Sequence, residues 1–70
     1  MPGSTITVNG VIREFPGGTV YDLLVTLGLD PDRRGLAVAV NGEVVSRTRW
    51  REVPLKPNDH VEIVTAVAGG

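Results

Sequence analysis

Thr5-Ile6-Thr7-Val8 alternates polar and apolar positions, Asn9-Gly10 follows, and Val11-Ile12-Arg13-Glu14-Phe15 resumes an extended pattern. Two residues that tolerate positive φ between two such runs predict a tight β-hairpin. A two-residue turn sets Val8 opposite Val11 and Ile6 opposite Arg13, which leaves Ile12 on the other face. Either that face is partly covered or the turn carries a bulge. Pro16-Gly17-Gly18 then breaks the strand. Thr19 stands three residues before Asp22, so its hydroxyl caps a helix whose first turn holds an acid. The helix begins at Val20, and Val20, Leu23, Leu24 and Leu27 fall at i, i+3, i+4 and i+7 on one buried stripe. Gly28 is placed for a left-handed C-terminal cap, and Tyr21 is the expected exposed aromatic.

Asp30 through Gly35 reads as a loop. Leu36-Ala37-Val38-Ala39-Val40 is an unbroken apolar run of strand length, which predicts a strand covered on both faces at a central position. Asn41-Gly42 turns the chain, and Glu43-Val44-Val45 returns as a short strand. Ser46 through Pro54 is polar, rich in Arg and without a clean period, with Trp50 and Val53 as its core plugs. After a turn at Lys56-Pro57-Asn58-Asp59, His60 through Val67 alternates as the last long strand and runs into Ala68-Gly69-Gly70. Hairpin, helix, central strand, irregular crossing and final strand make a two-layer α+β domain in which one helix face covers one sheet face. No internal repeat or linker interrupts residues 1–70, so they form one domain ending in a flexible tail at about 66–70.

Composition narrows the chemistry. Seventy residues allow one small core and leave no room for an enzyme cleft beside it. The absence of Cys removes disulfides, a thiolate nucleophile and zinc-thiolate sites, so packing alone must hold the fold. A formal net charge of −1 lacks the basic footprint of a nucleic-acid binder. Arg47, Arg49 and Arg51 around Trp50 form a local cationic cluster, read as a possible partner surface against the more ordinary reading of a solvated face. Neither a secretory signal nor a membrane-length apolar run is present, so a cytoplasmic location with no membrane partner is expected.

Catalysis within the chain finds no support. His60 has no serine elbow or thiol to complete a nucleophilic relay and reads as a strand-entry residue. One His with scattered carboxylates gives no metal-ligand spacing. Pro16-Gly17-Gly18-Thr19 lacks the lysine and glycine spacing of a phosphate loop and reads as a turn with an N-cap. The chemistry-bearing feature that remains is the end of the chain. Beyond Thr65 there is no charged side chain, and Ala66, Val67, Ala68, Gly69 and Gly70 are slender enough to thread a narrow channel in a partner. The Gly70 carboxylate is a poor electrophile until a nucleotide is transferred to it. The mixed anhydride so formed would let a sulfur nucleophile displace the nucleotide and leave a thiocarboxylate. Glycine at both last positions allows close backbone approach of the activating site.

Val8-Asn9-Gly10, Thr19-Val20 with Leu23-Leu24, the block Ala37 through Val45 with Arg47 and Trp50 after it, and Asp59 leading to Val67-Ala68-Gly69-Gly70 together resemble the small β-grasp sulfur carriers. Within that ubiquitin-like group they are similar to the ThiS family of thiamine biosynthesis, over nearly the whole chain. The resemblance implies a mixed sheet of about five strands packed on one main helix. It implies a protein cosubstrate instead of an enzyme, with no cofactor bound by this chain. A ThiF-type adenylyltransferase would activate Gly70 with ATP, a cysteine desulfurase relay would supply sulfur, and a ThiG-type thiazole synthase would consume the thiocarboxylate. Three other readings share parts of the pattern. They are the molybdopterin synthase small subunit, a noncovalent β-grasp interaction domain such as an RNA-associated TGS-like module, and a modifier conjugated to lysines through Gly70. Length and the central block favour the ThiS family over the first, and the free diglycine and low positive charge disfavour the second.

Overall fold

The computed structural model describes residues 4–66. Strands β1 (Thr5–Val8) and β2 (Val11–Glu14) form the hairpin, followed by helix α1 (Val20–Thr26), strands β3 (Leu36–Val40) and β4 (Glu43–Val45), a short 3-10 turn at Arg47–Arg49, and β5 (His60–Thr65). The strands lie in the order β2-β1-β5-β3-β4. β1 and β5 run parallel, whereas the pairs β1 with β2, β3 with β4 and β3 with β5 are antiparallel. The expected five-stranded mixed sheet on one helix is therefore present.

The hairpin has the register read from the sequence, with Ile6 opposite Arg13 and Val8 opposite Val11. Asn9 and Gly10 take φ values of 50° and 83°, as the two-residue turn requires. Neither alternative offered for Ile12 holds. The pairing is regular, without a bulge, and Ile12 is 74% exposed on a sheet face left uncovered by the described residues.

α1 has only seven residues, too few to persist alone, so its ends and its packing must hold it. At the start, the Asp22 amide donates to Thr19 Oγ1 and the Thr19 amide donates to Asp22 Oδ2, a reciprocal capping box. At the end, Gly28 at φ 79° lets its amide reach Val25 O and the Leu29 amide reach Leu24 O, a Schellman closure. Val20, Leu23 and Leu24 are buried, and Leu27 is half-buried against the core. Tyr21 is not freely exposed: it packs partly on the core beneath Arg51, because the crossing segment lies along this side of the helix.

Ile6, Val8, Phe15, Leu36, Val38, Trp50, Leu55 and Val61 complete the core. Leu55 plugs it beside Trp50, while Val53 is half-buried. The expectation for β3 needs correction. Leu36 and Val38 are buried, but Ala37 is exposed and Ala39 is only partly covered. One short helix covers one sheet face, so Ala37 and Ala39, which alternate with Leu36, Val38 and Val40, lie on the other face and only mimic a strand buried on both sides. The middle place belongs to β5, with β3 beside it. β5 ends at Thr65 instead of the expected Val67, which lies outside the described residues.

Candidate functional site

β5 is the strand that leads into the C-terminal segment, and both Asn-Gly turns hold it. Asn41, at φ 52°, accepts the His60 amide on Oδ1 at 2.9 Å and donates from Nδ2 to Asp59 Oδ1 at 3.0 Å. Its own amide donates to His60 O at 2.7 Å. Asn9 does the same work further along. β1 stops pairing at Val8 with Val61, and the Asn9 amide then donates to Val61 O. The Asn9 side chain next accepts the Ile63 amide at 2.8 Å and donates to Ile63 O at 3.1 Å. An amide side chain can present an N–H and a C=O side by side as a peptide unit does, so Asn9 prolongs the β1 edge without another residue of strand. The sequence pattern gave the turns but not this use of their first residues. The signal is Asn, where Gly alone would satisfy the positive φ.

On the other flank β3 pairs with β5 as far as Leu36 opposite Thr65. The ladder continues one step, with the Ala66 amide donating to Gly35 O at 2.8 Å. A Cβ on Gly35 would stand 2.9 Å from Ala66 Cβ, and Gly35 has φ 79°, so glycine is needed here on both counts. Ala66 is thus fixed at its amide and exposed at its side chain. Val67, Ala68, Gly69 and Gly70, the rest of the predicted tail, lie outside the described residues.

The arginine cluster divides. Arg47 turns its guanidinium onto the carbonyl oxygens of Pro31 and Arg33 and lies over the Trp50 ring, 4.7 Å from its centroid. Trp50 is buried and donates from Nε1 to Val45 O at 2.9 Å. Arg51 lies 4.2 Å over the Tyr21 ring. Arg49 is exposed and lines a shallow depression with Val45, Val53, Lys56 and Asp59.

The N-terminal amides of α1 are taken by the chain itself: Val20 donates to Val53 O and Tyr21 to Trp50 O, both at 3.0 Å. With Thr19 and Asp22 engaged in the capping box, the helix start is a structural junction, as its sequence indicated. His60 opens β5 with an exposed side chain. Beside β5, the uncovered sheet face presents Ala37, Ala39, Val44 and Val64, with Glu62 among them. Val44 is 81% and Val64 62% exposed.

The ThiS family profile matches residues 6–70, from the first core position of β1 to the final glycine. This chain belongs to the ThiS family. It is 33% identical over 54 residues to the sulfur carrier protein ThiS of Escherichia coli K12, covering 77% of this chain and 79% of that protein. A crystal structure of the thiamine biosynthesis protein ThiS from Geobacter metallireducens superposes with a TM-score of 0.78 at 29% identity. That match covers 94% of this chain and 99% of the other. An NMR structure of a thiamine biosynthesis protein from the same organism gives a TM-score of 0.75 at 29% identity, covering 94% and 87% of the two chains. The β-grasp architecture and the resemblance seen in the residues are both borne out.

Proposed function

We propose that this chain is a sulfur carrier in thiamine biosynthesis, a protein cosubstrate whose Gly70 carboxylate is the reacting group. The observation that carries the reading is membership of the ThiS family through the terminal diglycine. The thiamine names of its relatives favour this pathway over the molybdopterin one.

The chemistry proceeds in two displacements and a reduction. A carboxylate oxygen of Gly70 attacks the α-phosphorus of ATP held by a ThiF-type adenylyltransferase, forming an acyl-adenylate and releasing pyrophosphate. The terminal sulfur of a persulfide carried by a cysteine desulfurase relay then attacks the acyl carbon, so that a C–S bond replaces the C–O bond to AMP and an acyl disulfide forms. A thiol reductant cleaves its S–S bond, leaving as a disulfide with the relay sulfur, and the thiocarboxylate remains for a ThiG-type thiazole synthase. Residues 67–70 are the part that enters the partner, and Ala66, which the sequence pattern placed in the tail, is its base on the sheet. The slender side chains of Val67 and Ala68, followed by Gly69, suit a narrow channel, and the absence of charged side chains spares a desolvation cost. The apolar sheet face at Val44 and Val64 and the exposed Arg49 offer the partner a surface on the body of the domain. We place the carrier in the cytoplasm. Among the described residues no helix is long and apolar enough to cross a membrane.

Exchange of labelled pyrophosphate into ATP reads the first displacement alone. The full chain with its cognate adenylyltransferase is expected to support exchange, and the chain lacking Gly70 is not. Equal exchange by both would remove Gly70 as the activated group.

A further inference from the structure

We infer that Arg47 and Gly35 form a brace that sets where and in which direction the chain leaves the sheet at Ala66. The brace makes Arg47 a positioning residue for the C-terminal tail. The inference rests on the proposed carrier role for its functional meaning and on geometry for its existence.

Ala66 has its amide bonded to Gly35 O, and Gly35 ends the 30–35 loop. That loop has little internal support: the Arg33 amide donates to Asp30 O and the Asp32 amide to Asp30 Oδ1. What ties it to the body is the Arg47 guanidinium, which gathers the carbonyls of Pro31 and Arg33 on one planar fork. The guanidinium is itself held against Trp50, and Trp50 is fixed by burial and by its bond to Val45 O. A continuous path of contacts therefore runs from the core through Trp50, Arg47 and the 31–35 loop to Ala66, the last described residue. On the opposite flank Asn9 holds Ile63 by two hydrogen bonds, so a compensating shift of the strand there would sacrifice them. Four residues separate Ala66 from the Gly70 carboxylate. Four chain positions reach at most about 14 Å, so the point at which the chain leaves the sheet bounds where the reacting group can be placed. Transfer depends on reacting atoms held in a near-attack arrangement, so the brace acts on the rate of activation.

This assignment differs testably from a charge that faces a partner. Lys keeps the charge of Arg but presents a point donor in place of a fork, so it cannot hold both carbonyls in the same way. The full chain is compared with Arg47→Lys, Arg47→Gln and Gly35→Ala in two measurements. The first is amide hydrogen exchange at Ala66 by NMR, with the buried Val61 amide as a control for the fold. The second is pyrophosphate exchange with the adenylyltransferase, read as kcat and KM separately. All three variants are expected to speed exchange at Ala66 on the order of fivefold with Val61 unchanged, the size set by one net hydrogen bond. They are expected to lower kcat by roughly five- to tenfold with KM little changed, because the tail and not the docking surface is displaced.

Arg47→Lys matching the unmutated chain in both measurements would overturn the brace and leave Arg47 a partner-facing charge. Unchanged Ala66 protection in Arg47→Gln would overturn it as well. If the unmutated chain supports no pyrophosphate exchange with an active enzyme, the carrier reading fails. Ala66 protection alone then decides, its loss upholding the brace and its retention overturning it.

Discussion

Replacing Asn9 by Ala removes two things at once, and their sizes follow from separate observations. The side chain makes two hydrogen bonds to the Ile63 backbone, at 2.8 and 3.1 Å. Both are exposed to water, so together they contribute about 1 kcal/mol, near the low end for net hydrogen bonds. The backbone sits at φ 50°, where Ala costs about 1–2 kcal/mol and Asn less. The sum is roughly 2–3 kcal/mol, a large share of the ~3.5–10 kcal/mol expected for a domain of this size. Urea unfolding followed by fluorescence of Trp50, the single tryptophan, reads it directly. With a slope of about 1 kcal/mol per molar for so small a chain, the midpoint should fall by roughly 2–3 M. Asn9→Gly separates the contributions, because Gly accepts the positive φ without steric cost but makes no side-chain bond. It should lose about 1 kcal/mol. If Asn9→Gly were as stable as the parent, Asn9 would serve the turn alone and its clamp on β5 would carry no energy.

Two further substitutions test the core and its polar tether. Leu24 is fully buried in α1, so Leu24→Ala should cost on the order of 2–5 kcal/mol in the same urea experiment, and a near-neutral result would mean the helix stripe does not face the core. Trp50→Phe keeps most of the apolar contact and loses the Nε1 bond to Val45 O, so a loss of about 1–2 kcal/mol is expected by thermal unfolding. No loss would show that the indole is held by packing alone.

The parts of the fold legible in the sequence were those encoded by neighbours. Asn9-Gly10 fixed both the turn and the register of β1 on β2, and Thr19 with Asp22 marked the start of α1. Gly28 marked its end by the positive φ it adopts. Burial of β3 on both faces was misread because Ala37 and Ala39 count as apolar by composition. Their small side chains cost little when exposed, so an unbroken apolar run does not establish a second covering layer. Leu55 lacked any periodic context, and only the path of the crossing segment brings it under the sheet. The same limit applies to the base of the tail. Gly35 opposite Ala66, Arg47 on the 31–35 loop and Asn9 on Ile63 join residues 14 to 54 positions apart, distances at which local pattern carries no information. The slender terminus and its glycines, by contrast, are chemistry written in consecutive residues.

The central claim is sulfur transfer onto Gly70, and intact mass spectrometry measures it most directly. The full chain is incubated with ATP, a sulfur source and its cognate adenylyltransferase, beside the chain lacking Gly70. An oxygen-to-sulfur mass increase in the full chain alone, reversed on addition of thiazole synthase and its substrates, is the expected result. An unchanged mass with an enzyme proven active on another carrier would contradict the carrier role and favour a noncovalent β-grasp interaction domain.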